Sequence, residues 1–331
     1  MRGKTEAMFD AAALRIIAVA AVVLAAATTP LRAIAEYPDR PVKILVPYQA
    51  GGVTDFVARL VAQKLAEEFK QPVIVENRPG AGGMIAVTAV ARAAPDGYTI
   101  LVDAPGVVLN PSLYRKISYD PKDLQPVAQL MTSPFVIVAN PNVPIRSVTE
   151  IAEYARKNAS KFNVATAGNS TLLAGEMFRL IANVEFTFVP YNGAAPASMS
   201  VVSGDTQLMF SDLTSFGQHI TSGQLRAIAV AGERRSPMLP DVPTTREAGM
   251  PEYVVTSWFG AFVPAATPPD IVRRLNAAIN RVVMLPDVVA RLAALGAEPV
   301  TLSVEAFSQF YRDELVRWKD VVSRAKVPLI D

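Results

Sequence analysis

The apolar positions of residues 42–65 change their spacing once, and that change defines the first pair of elements. Residues 43–47 are a short β-branched apolar run, the pattern of a buried strand. Gly51 and Gly52 follow side by side, in a loop free to take positive φ. From Asp55 the period becomes helical, with Phe56, Val57, Leu60, Val61 and Leu65 on one face and Thr54 or Asp55 placed to cap it. Strand, glycine turn and helix N-terminus together gather unpaired backbone N–H groups around one point and favour an anion there. No Lys or Arg lies between Pro47 and Ala58, so such an anion meets amides, hydroxyls and water. A plain α/β crossover accounts for the same glycines without any ligand.

The motif recurs. A strand at 72–75 leads into a glycine-rich turn at 77–83 and a small-residue helix at 84–93. Gly80-Ala81-Gly82 fits half of a dinucleotide fingerprint, but Ile85 stands where its last glycine belongs, so close helix–sheet packing is the better reading. A strand at 98–102 ends beside Asp103, just where open α/β sheets bind ligands; a loop acid or helix cap is the simpler role. Residues 110–114 and 120–124 read as connections, and 127–130 and 135–139 as two strands. Ser147 and Glu150 form a capping box for a helix over 147–157. Strands at 162–165, 185–189 and 206–210 are each followed by a small polar turn and a helix, over 172–181, 197–203 and 213–222. A strand at 225–230, a turn-dense loop at 240–251 and a strand at 254–263 precede helices at 268–284, 287–295 and 304–326. The aromatic stripe of the last is core packing. This alternation predicts an α/β chain of two parallel-sheet lobes, helices on both faces, hinged around a central cleft.

Composition narrows the function. With 331 residues, two lobes are the expectation. There is no cysteine and one histidine, His219, which leaves no thiolate site, little for a metal and no relay for a nucleophile. Arg2, Lys4 and Arg15 precede an apolar run at 16–27, too short for the ~20 residues of a membrane span, and Ala33-Ile34-Ala35 offers a cleavage site. Residues 1–35 are therefore expected to be a signal peptide cleaved after Ala35. Its removal takes the formal charge from +2 to neutral, with no electrostatic case for nucleic acid.

The stretches VPYQAGGVTD (46–55), VENRPGAGG (75–83), PDGY (95–98) and NPSLY (110–114) are followed by LAGE (173–176), VPYNGAAPA (189–197), LPDVPT (239–244) and WFG (258–260). In this order they resemble the substrate-binding proteins of tripartite tricarboxylate transporters, the Bug receptors. The resemblance implies a periplasmic receptor of type II periplasmic-binding-protein fold, with residues 36–136 and 254–331 as lobe 1 and 137–253 as lobe 2. It implies that a small carboxylate is gripped by Tyr48, Gln49, Ala50, Gly51, Gly52, Thr54 and Asp55 of one lobe, with Asp103 close by. From the other lobe come Tyr191, Gly193, Ala194, Ala195 and Pro196, with Thr166, Gly168, Asn169, Ser170, Ser211 and Asp212 lining the cleft. No enzyme activity, cofactor or metal is implied. Partners would be the membrane transporter subunits, the receptor being a monomer that closes freely.

Departures from the family pattern bear on the ligand. Tyr48 replaces a usual Phe, Val53 a third Gly, Leu172 a usual His, and Asp103 a small neutral residue. They argue against citrate-like acids and leave a monocarboxylate, an aromatic acid or an amino acid. Two other functions fit less well. Loaded receptor could signal to a sensor kinase, or an exported hydrolase or lyase could use Asp55, Asp103, Glu176 or Asp212.

Overall fold

Alternation of strand and helix starts at β1 (Val42–Val46) and α1 (Val53–Phe69) in the computed structural model, which describes residues 37–159 and 161–331. It continues through β2 (Val73–Asn77), α2 (Met84–Ala91), β3 (Thr99–Asp103) and α3 (Gly106–Leu113) to a long strand, β4 (Leu124–Ala139). Then come α4 (Val148–Asn158), β5 (Asn163–Thr166), α5 (Asn169–Ala182), β6 (Thr187–Pro190), α6 (Ala194–Ser203), β7 (Leu208–Asp212), α7 (Leu213–Thr221) and β8 (Arg226–Val230). The chain ends with β9 (Thr256–Pro264), α8 (Pro269–Val283), α9 (Pro286–Ala293), β10 (Glu298–Pro299) and α10 (Val304–Arg324). The expected signal peptide lies outside the described residues.

The fold is α/β, but its strands form one sheet rather than two separate parallel ones. The order is β2-β1-β3-β9-β4-β7-β5-β6, with β8 and β10 also paired to β4. Parallel pairing holds within β2-β1-β3 and within β7-β5-β6. β9 and β4 run antiparallel to each other and to their outer neighbours, which makes the sheet mixed.

Three sequence expectations need correction. Residues 124–139 are one strand, not two. Pro126 and Pro134 suggest breaks, yet the ladder to β9 absorbs Pro126 with a register shift, and Phe135 N–H turns to Val255 O at 2.9 Å. Residues 106–113 form a helix despite Gly106 at its start and Pro111 within it. The helix expected from Asp55 begins at Val53 with Gly52 at its N-cap, so neither Thr54 nor Asp55 is the cap. Ser147 does cap α4, accepting from Glu150 N at 3.2 Å, while the Glu150 carboxylate reaches Arg146 N, one residue before the cap.

The core is aromatic on both sides of β4. Trp258 and Phe262 of β9 pack on Phe307 and Tyr311 of α10, with ring centroids 6.1 and 5.4 Å apart in the Trp258–Phe307 and Phe262–Tyr311 pairs. Phe178, Phe210 and Tyr253 form a second group, and the Tyr253 hydroxyl donates to Ala174 O at 3.1 Å. Buried Glu314 accepts from the indole N–H of both Trp258 and Trp318 at 3.0 Å, and from Arg317 at 3.2 Å.

Close packing explains one glycine. A Cβ on Gly260 would lie 2.4 Å from Phe307 Cζ. We expect Gly260→Ala to cost on the order of 1–3 kcal/mol through overpacking, read as a lower urea midpoint; an unchanged midpoint would show that the ring has room to move.

Candidate functional site

The sheet register sets two ranks of turns against each other. β1, β2 and β3 end at Val46, Asn77 and Asp103, and the turns after them lead to the N-termini of α1, α2 and α3. β5, β6 and β7 end at Thr166, Pro190 and Asp212, ahead of α5, α6 and α7. Asp103 pairs with Gly260, which pairs with Gln129 of β4, whereas Asp212 pairs with Phe135 of the same strand. β3 advances along β4 and β7 runs against it, so the two ranks point toward each other. Six strand residues at ~3.3 Å each put their roots roughly 20 Å apart, and the turns occupy part of that distance.

In the first rank, Asp55 organises the loop rather than offering a free acid. It is 5% exposed, and its carboxylate accepts from Gly51 N at 3.0 Å, Arg59 Nε at 3.0 Å and Asn77 Nδ2 at 2.9 Å. Asn77 Nδ2 also donates to Tyr48 O at 3.1 Å, and Arg59 to Asn77 Oδ1 at 2.9 Å. Burial pushes the Asp55 carboxyl up, but the bonds from Arg59, Gly51 and Asn77 outweigh it and hold it below its usual value. The nearby cation is thus already engaged by a protein carboxylate. Gln49, Ala50, Gly51 and Gly52 stay exposed at the tip.

Asp103 lies deeper, 1% exposed. Its Oδ1 accepts from Ala104 N at 2.7 Å, and the half-buried Tyr48 phenol is hydrogen-bonded to it. The Tyr48 hydroxyl is therefore turned inward onto Asp103. Burial raises the Asp103 carboxyl to about 7 against the pull of these two bonds.

The second rank is built from local hydrogen bonds. Thr171 Oγ1 accepts from Ala167 N at 2.7 Å and donates to Gly168 O at 2.9 Å, closing the turn around which Asn169 and Ser170 start α5. Thr166 is buried beneath it, its carbonyl accepting from Tyr191 N at 2.8 Å. Ala194, Ala195 and Pro196 form the first turn of α6. Ser211 is buried in β7, and Asp212 caps α7, its Oδ1 accepting from Ser215 N at 3.2 Å, Ser215 Oγ at 3.1 Å and Thr214 Oγ1. Gly51, Gly168 and Gly193 have φ of +90°, +124° and +108°, with nothing within 4 Å of an added Cβ. These positions need glycine for their backbone, and the space beside them is open.

Each predicted residue thus sits in one of the two ranks, but in different roles. Gln49–Gly52, Gly168 and Gly193–Pro196 form the turns; the carboxylates of Asp55, Asp103 and Asp212 brace backbone, Tyr48 is tied to Asp103, Thr166 takes part through its carbonyl, and Ser211 is buried in β7. Sequence reasoning missed Asn77, Arg59 and Gly106. The Asp55–Arg59 spacing of four residues on a helix was the available signal for one of them. Among the described residues no cluster of His, Asp and Glu could hold a metal ion.

Comparison with known proteins identifies the relatives of this chain. The family model described as the tripartite tricarboxylate transporter family receptor matches residues 57–327. Protein BugT of Bordetella pertussis is 36% identical over 294 residues, covering 86% of this chain and 89% of its own. Rpa4515 of R. palustris, solved with adipate, superposes with a TM-score of 0.79 at 32% identity, over 89% of this chain and all of that one. MatC of Rhodopseudomonas palustris, solved with bound malate, gives 0.75 at 36% identity, over 86% of this chain and all of its own.

The buried acid has a measurable signature. An Asp titrating at about 7 when folded, and at ~4 when unfolded, holds an extra proton in the native state between those values. Its contribution to stability is therefore lost as pH rises through that window. We expect Asp103→Asn to flatten the fall in melting temperature between pH 5 and pH 8. An identical slope in both proteins would mean that Asp103 titrates normally.

Proposed function

The chain belongs to the tripartite tricarboxylate transporter receptor family, whose members are periplasmic solute-binding receptors, and on that premise we propose that it captures a small organic acid between its two ranks of turns and delivers it to a tripartite membrane transporter. The observation that carries this is the opposition of three helix N-termini to three others across one strand. First-turn N–H groups lack intrahelical partners, and the dipoles bring partial positive charge to the same place. A carboxylate fits that field without a lysine or arginine of its own, and amides bind it reversibly. Adipate and malate, seen in two relatives, are acids of this class.

In this reading residues 36–136 and 254–331 move as one lobe and 137–253 as the other. The hinge lies where β4 passes Ser133–Phe135 and where Val254–Thr256 returns beside it. Closure brings the second rank onto a ligand first held by the Gly51 loop. Export with cleavage after Ala35 places the mature receptor in the periplasm. Nothing in the mechanism requires bond chemistry, because the acids at the site brace backbone.

Isothermal titration of the purified mature protein against a carboxylate panel containing adipate and malate tests the proposal. We expect at least one acid to bind and, at a hundredfold excess over Kd, to add about 2.7 kcal/mol of stability. A folded protein that no acid stabilises would sink it. Asp55→Ala removes the brace on Gly51 and should weaken the bound acid by roughly 1–3 kcal/mol. Gly193→Ala should weaken it and also lower the melting temperature, since the new methyl enters open space but the backbone φ of +108° is one that L residues rarely adopt. Full affinity in both variants would place the ligand elsewhere.

A further inference from the structure

The first rank already holds an anion of the protein's own. Asp103 ends β3, which lies between β1 and β9, so its carboxylate occupies the edge of the rank that adjoins the crossing strands β9 and β4. It sits against the start of α3: a Cβ on Gly106 would lie 2.6 Å from Tyr48 Oη and 3.9 Å from Asp103 Oδ1. The groups facing it are phenols, namely Tyr48 from the loop before α1, Tyr119 from the segment after α3, and Tyr311 from α10. Tyr119 donates its hydroxyl to Val107 O at 3.1 Å and Tyr311 to Pro121 O at 3.3 Å, so neither faces Asp103 as a donor. Among the described residues no lysine, arginine or histidine forms an ion pair with Asp103.

A helix start that would otherwise take a ligand carboxylate therefore meets a resident one. In a poorly solvated setting, two like charges repel more strongly than in water. We propose that Asp103, positioned by Tyr48, sets ligand class by turning away a second carboxylate, so that the receptor selects acids with one carboxylate and a neutral far end. This rests on the carboxylate-receptor reading above and sharpens it. The repulsion exists only when Asp103 is ionised, and its carboxyl titrates at about 7. Selectivity should therefore grow as pH rises from 6 to 8, because affinity for the dicarboxylate falls while that for the monocarboxylate stays level.

The test uses matched probes, adipate against hexanoate and malate against 3-hydroxybutyrate, titrated into wild type, Asp103→Asn and Tyr48→Phe at pH 6 and pH 8. In wild type we expect at least tenfold preference for the monocarboxylate member at pH 8, narrowing at pH 6. Asp103→Asn should abolish both the preference and its pH dependence, and Tyr48→Phe should narrow the preference by making ionised Asp103 harder to hold. Binding with a ratio indifferent to pH and to Asp103→Asn overturns the assignment while leaving the receptor intact. If Asp103→Asn fails to fold, the pH dependence of the wild-type ratio decides alone. Absence of binding by every probe and every acid of the panel removes the receptor reading, and this inference with it.

Discussion

Backbone hydrogen bonding along β4 is the constraint from which the geometry follows. The strand pairs with β9 over its first part and with β7 and β8 over its last, absorbing register shifts on the way. Because β3 follows it in direction and β7 opposes it, the carboxyl ends of both parallel groups face the same interval. Parallel strands must each be followed by a crossover, and each crossover here begins with a helix. The helix N-termini on the two sides therefore confront each other as a result of topology, before any side chain is chosen.

Side chains then fix the turns in shape. Asp55, Asn77 and Arg59 tie the loop after β1 to the end of β2, and Thr171 closes the turn before α5. These bonds take up the amides of Gly51 and Ala167 and so fix the shape of the turns around them. The ordering of the loops is thus completed during folding, and a ligand need not supply it on arrival. Asp212 does similar service for α7, which explains why acids near the site are braces rather than reagents.

Much of this could be read from the chain. Glycine or small polar turns after apolar strand runs located both ranks, since a change of period and a positive-φ residue are local signals. The union of residues 124–139 into one strand could not be read, because Pro126 and Pro134 are local breakers that a long-range ladder overrode. α3 was hidden in the same way by Gly106 and Pro111. Asn77 sat in plain view within VENRPGAGG, but its bonds reach 22 and 29 residues back to Asp55 and Tyr48, a distance no local pattern spans. The inward turn of Tyr48 toward Asp103 likewise depends on two separate strands becoming neighbours.

The shared carboxylate beneath β9 has an optical consequence. The chain has two tryptophans, and both indoles donate to Glu314 from within the same buried cluster. Tryptophan emission therefore comes from one small region at the seam of β9 and α10, with no tryptophan among the turns themselves. A change in tryptophan emission on adding a solute would report a rearrangement of that cluster, not contact with the solute. A silent spectrum would say nothing about occupancy.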